Sequence, residues 1–242
     1  MGLRGKTAII IGGGSGFGAA IARALAESGV RVMVGDSDSD AAQSVGQQIG
    51  GLWAELDPTQ NAAMGTVAYK VADQLGDIDI FVNAHMPSQT TKPLDEWTES
   101  DFESTLIAQT KPLFLAARHF IPAMKARRSG VILSVLGPAK SQNAWPDAAR
   151  AWAAKATQTM ALELGPFGIR ANALSVVADH NPALPRFLGG QKNEDRARKL
   201  AAIPMGRFAL GTDLAQAAVF LCSDAASMIT GAIMDVDGGA GL

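Results

Sequence analysis

Thr7-Ala8-Ile9-Ile10-Ile11-Gly12-Gly13-Gly14-Ser15-Gly16-Phe17-Gly18 joins a short apolar run to a cluster of five glycines, and a helical pattern begins at Gly16. A β-branched run this short reads as a strand buried on both faces. Glycines between a strand and a helix permit a tight turn. They also let the backbone approach a pyrophosphate, which the unpaired N–H groups of the helix N-terminus can bind. Eighteen residues beyond Gly18, Asp36 closes the next apolar run, Arg31–Gly35. A carboxylate there accepts hydrogen bonds from the hydroxyls of an adenosine ribose and repels a 2′-phosphate. Gly12, Ser15, Gly16, Phe17, Gly18 and Asp36 are therefore candidate cofactor-binding residues, with NAD the expected cofactor.

Outward from this segment, apolar runs at 7–11, 31–35, 52–55, 78–82, 131–135, 170–174 and 232–236 alternate with helical patterns. The helical patterns lie near 16–28, 40–48, 61–75, 101–126, 148–164 and 213–223. Such alternation, with near-continuous apolar strands, predicts a Rossmann-type, doubly wound α/β fold: a seven-stranded parallel sheet with helices on both faces. Gly29 and Gly165 fall where left-handed helix caps belong. The 242 residues suffice for a single domain, residues 1–242, and are too few for two full ones. Residues 177–207 break the alternation with Pro182, Pro185, Pro204 and the pair Gly189-Gly190. Long connections inside a compact domain are commonly functional, so this one reads as a substrate lid.

Twenty-one basic residues against 23 acidic ones give a net charge of -2, with no basic stripe to attract nucleic acid. No run approaches ~18 consecutive apolar residues, so no membrane-spanning helix is expected. The residues up to Ile11 are too short for a signal-peptide core. Cys222 is the only cysteine, and no Cys/His cluster has metal-ligand spacing. The expectation is a metal-free, cytoplasmic protein.

Further motifs follow the glycine loop. Asp57 comes just after the third apolar run, and Asp79-Ile80-Phe81-Val82-Asn83 carries the fourth. Gly168-Ile169-Arg170-Ala171-Asn172-Ala173, Ile229-Thr230-Gly231 and Val236-Asp237-Gly238-Gly239 complete the set. Together with Gly12-x-x-x-Gly16-x-Gly18, they resemble the short-chain dehydrogenase/reductase family over about Leu3 to Gly239. The resemblance implies an adenine contact at Asp57 and a cofactor-side role for Asn83. It also implies a catalytic Tyr with a Lys four residues later, a Ser after the fifth strand and an Asn on the preceding helix. Lys155 matches the Lys and would hold the nicotinamide ribose, whereas the Tyr, Ser and Asn positions hold Ala151, Gly137 and Gln109. Ala84-His85-Met86 and Val176-Val177 likewise depart from the family's Asn-Ala-Gly and Pro-Gly. Tyr69, the only tyrosine, lies before the fourth strand and cannot substitute.

Hydride transfer to a carbonyl builds alkoxide charge that must be protonated or hydrogen-bonded. Loss of a positioned acid/base typically costs ~10²–10⁴ in rate. The chain therefore reads as a non-catalytic subunit paired with a homologous, active NAD-dependent hydroxyacyl or alcohol dehydrogenase, in a hetero- or homo-tetramer. Trp152 and Met160 are candidates for the helix–helix interface, and Lys192, Arg196, Arg198 and Lys199 could greet an acyl-CoA. Two alternatives stay open. In one, His85, just past the fourth strand and near the expected nicotinamide site, supplies the proton of an active oxidoreductase. In the other, the chain is an NAD-responsive binding protein without redox chemistry.

Overall fold

The computed structural model describes residues 2–86, 92–137, 144–176 and 200–242. Along them run β1 (Thr7–Ile11), α1 (Gly16–Glu27), β2 (Arg31–Asp36), α2 (Ser39–Gln48), β3 (Leu52–Glu55) and α3 (Asn61–Gln74). These are followed by β4 (Ile80–Asn83), α4 (Glu99–Arg127), β5 (Gly130–Leu136), α5 (Ala144–Leu164), β6 (Ile169–Val176), α6 (Gly211–Cys222) and β7 (Ile233–Val236). The strands form one seven-stranded parallel sheet, as the alternation predicted, in the order β3-β2-β1-β4-β5-β6-β7.

Successive strand residues point to opposite faces. Ile10, Val34, Val82 and Leu133 accordingly meet Ile21 and Leu25 of α1 and Leu214 of α6. Their neighbours Ile9, Ile11, Met33, Phe81 and Ile132 meet Met64 of α3, Leu113 and Phe120 of α4, and Leu164 of α5. Two buried faces leave no polar alternation in the strands.

Local chemistry sets several boundaries. The Asp38 side chain accepts from Ala41 N at 3.0 Å and caps α2. Thr98 and Asp101 exchange side-chain and backbone hydrogen bonds to start α4. α5 begins at Ala144, earlier than the apolar pattern indicated, because Pro146 sits in the first turn, where its missing N–H costs nothing. β4 starts at Ile80 because Asp79 is occupied at the strand's foot, accepting from Thr7 N at 2.9 Å and Arg127 Nη1 at 3.2 Å. Gly29 has the expected left-handed φ of 85°. Gly165 does not: with Pro166 it opens a 3₁₀ turn, and Gly168 takes the left-handed position at φ 70°.

Of the expected lid, 177–199 lies outside the described residues, including Lys192, Arg196, Arg198 and Lys199. Its end is docked: Ile203 is buried, Met205 N donates to Gly238 O at 3.2 Å, and Arg207 forks onto Asp213 at 2.6 and 3.0 Å. No helix among the described residues is long and apolar enough to cross a membrane. No group of His, Cys, Asp or Glu among them could hold a metal ion.

Candidate functional site

The sheet order places β1 between β2 and β4, so successive strands are added outward in opposite directions from β1 and a crevice opens beyond the strand ends. The glycine loop fills its floor. Gly12 has φ 75°, and a Cβ there would lie 2.7 Å from both N and Cα of His85. A Cβ on Gly18 would lie 2.0 Å from Gly12 O, so α1 can approach the loop this closely only through glycine. Gly12 N and Gly13 N donate to Gly35 O at 2.8 and 3.2 Å. Gly14 N donates to Asp36 Oδ2 at 2.9 Å, and Asp38 N to Asp36 Oδ1 at 3.1 Å.

Among the described residues, the N–H groups of Ser15, Gly16 and Phe17 have no protein partner, and the Ser15 hydroxyl does not cap the helix. They are the orphan donors of a helix N-terminus, suited to a phosphate. Phe17 offers only its N–H, because its ring is buried in the core. Each Asp36 oxygen keeps acceptor capacity beyond its one backbone bond, as ribose hydroxyls require. The residues present thus fit an adenine dinucleotide.

Asp57 lies after β3 and accepts from Thr59 Oγ1 at 2.7 Å and Thr59 N at 2.9 Å. These bonds, the hydroxyl first, hold its carboxyl below the ordinary range. The His85 backbone closes over Gly12, and the Asp36 and Asp57 carboxylates act on its imidazole. Burial lowers its pKa against the opposing pull of those two carboxylates. The imidazole is therefore neutral at pH 7, with one donor and one acceptor nitrogen to offer at the adenosine end. Asn83 is buried in register with Ser134 of β5, and neither Asn83 Oδ1 nor Ser134 Oγ has a hydrogen-bond partner among the described residues.

The other end of the crevice is built by β5, β6 and α5. Ala151 and Lys155 are both exposed on α5, one turn apart. Arg150, next to Ala151, spans the ends of two strands: its Nε donates to Gly137 O at 2.9 Å and its Nη2 to Ser175 Oγ at 3.0 Å. Gln109 is half-buried on α4, three residues before Pro112, whose ring nitrogen gives the Ala108 carbonyl no helical N–H. Cys222 is no nucleophile, since burial pushes its thiol up to about 12. The sequence reading passed over Arg150 and Ser175. The available signal was a lone arginine directly before Ala151.

A glycine loop at the switch point of a parallel sheet, with an acidic residue at the end of β2, defines a dinucleotide-binding α/β domain. A family model described as enoyl-(acyl carrier protein) reductase matches residues 12–241. The chain is 33% identical to 4-formylbenzenesulfonate dehydrogenase of Comamonas testosteroni, over 99% of both chains. It is 30% identical to the 3-oxoacyl-[acyl-carrier-protein] reductase of Thermotoga maritima, again over 99% of both. The crystal structure of 3-ketoacyl-(acyl-carrier-protein) reductase from Brucella melitensis, complexed with NADH, has a TM-score of 0.91 to it at 33% identity. That match covers 99% of this chain and 100% of the other. The chain belongs to the short-chain dehydrogenase/reductase family, whose members bind a nicotinamide dinucleotide.

Proposed function

We propose that this chain is an NAD-binding, non-catalytic subunit that assembles in the cytoplasm with a homologous, active dehydrogenase of a hydroxyacyl-CoA or alcohol. One observation carries this: Ala151 stands one turn before Lys155, and the nearby polar contact at Gly137 is made by Arg150. By the family resemblance, Ala151 and Gly137 occupy the Tyr and Ser positions, so neither side chain can donate a proton. A guanidinium stays protonated at any working pH and cannot replace the Tyr as acid/base. The close approach of the His85 backbone to Gly12, with the pull of the Asp36 and Asp57 carboxylates on its imidazole, supports a place beside the glycine loop rather than beside Ala151. The preference for NAD rests on Asp36, which would repel a 2′-phosphate.

Assembly is supported by the exposed Ile107 and Phe114 on α4 and Trp152 on α5, two helices that pack against each other. Large apolar side chains left exposed on neighbouring helices gain by burial against another chain. The test is to tag the chain in its own host and record native mass spectra of the purified complex. A stoichiometric second chain of similar size carrying an intact Tyr-x-x-x-Lys is expected. A homo-oligomer alone would overturn the subunit assignment.

A further inference from the structure

We propose that Arg150 makes the substrate end of the crevice a carboxylate-binding site, so that this subunit takes an organic acid anion as its ligand. The proposal deepens the non-catalytic reading, since it replaces proton transfer at this end by anion recognition. Its test needs neither turnover nor a partner chain.

Position comes first. Arg150 bridges the carboxyl ends of neighbouring strands, with Leu136 of β5 in register with Ser175 of β6. Open parallel sheets bind ligands beyond these ends. Gly137, whose carbonyl meets the guanidinium, carries no side chain to obstruct an approach.

Donor arithmetic comes second. A guanidinium has five N–H donors in a planar fork. Nε gives its one to Gly137 O, and Nη2 gives one of its two to Ser175 Oγ. The remaining three, two on Nη1 and one on Nη2, have no partner among the described residues. Nη1 and Nη2 form the end of the fork, whose parallel N–H groups match the two oxygens of a carboxylate. The two bonds already made also fix the guanidinium, so less conformational entropy is lost on binding.

Charge comes third. Both acceptors of Arg150 are neutral, and no carboxylate among the described residues pairs with it. Arg127 and Arg207 pair with aspartates, whereas Arg150, like Arg23, Arg31, Arg128 and Arg170, donates to neutral oxygens. Arg150 alone of these five does so from α5 at the carboxyl ends of β5 and β6. A half-buried cation with only neutral partners has lost hydration without a counter-charge, and an anionic ligand supplies one. The competing explanation is that Arg150 merely ties β5 to β6.

Isothermal titration calorimetry on the full chain separates the two, with benzoate as probe and benzamide as its neutral counterpart of the same shape. Benzoate binds about 10- to 100-fold more tightly than benzamide, the range expected for a charge-assisted fork. Arg150→Lys keeps the charge, loses the fork and removes most of that preference; Arg150→Met abolishes it. Equal binding of the two probes, no benzoate binding, or a preference that survives Arg150→Met overturns the proposal in favour of a structural tie. If Arg150→Met fails to fold, the benzoate–benzamide comparison on the unaltered chain and Arg150→Lys decides. NADH titrated separately into the unaltered chain reports on the cofactor reading, so each can fail alone.

Discussion

The β1–β2–β3 half and the β5–β6 half of one sheet present opposite chemistry at their carboxyl ends. On the first half, carboxylates and orphan backbone amides alternate. Asp36 is braced by Gly14 and Asp38 N–H groups, Asp57 by Thr59, and the N-terminus of α1 stands open. On the second half, the group that reaches the strand ends is a cation from a helix, Arg150. A fold of this type separates the two tasks physically, so one end can keep a nucleotide site while the other is rebuilt. Backbone geometry underlies the first end and side-chain reach the second.

The largest effect expected on this contrast comes from the glycine loop. Gly18→Ala drives a methyl to 2.0 Å from the Gly12 carbonyl, a backbone atom that no rotamer change can relieve. Urea unfolding should show a loss of about 3 kcal/mol, the upper part of the usual range for overpacking, together with loss of NADH binding. Next, Asp36→Ala removes the ribose acceptor and the Gly14 brace. NADH affinity measured by fluorescence titration should fall about 10- to 100-fold, the scale of a hydrogen bond to a charged group, and NADPH should gain relative to NADH.

A smaller effect is pH-dependent and specific to the adenosine end. His85 has its pKa lowered by burial in the folded chain, so between that value and about 6.5 the unfolded chain binds more protons. Stability is therefore full above about pH 6.5 and is lost as the pH falls toward the folded-state value. Melting curves from pH 7.5 down to 5 should show this loss, and His85→Gln should flatten it. Smallest of all, Lys155→Ala removes an exposed side chain and should change stability by no more than about 0.5 kcal/mol.

The same contrast explains what could be read in advance. Ile9, Ile10 and Ile11 announce a strand covered on both sides because each successive residue enters a different core. Gly12, Gly16 and Gly18 announce the turn because the positive φ of the first two and the 2.0 Å approach of a Gly18 Cβ to Gly12 O are set within the loop itself. Arg150 was not legible: its partners lie 13 and 25 residues away, and only the packing of α5 on the sheet brings them together. The surroundings of His85 were not legible for a related reason. Its place in the chain is fixed by β4, but its environment is set by the close approach of Gly12, on another strand's loop. At Gly165, Pro166 carried the winding on for one more turn, a local cue that the glycine alone did not reveal.

The most direct test of the central claim is an NADH titration of the purified chain, with a 3-oxoacyl-CoA then added to the same cuvette and absorbance followed at 340 nm. A saturable fluorescence change with no NADH oxidation above background is the predicted result. Oxidation at about 1 s⁻¹ or faster, the ordinary range for enzymes, would contradict the account of the substrate end. Absence of any saturable binding would contradict the account of the adenosine end.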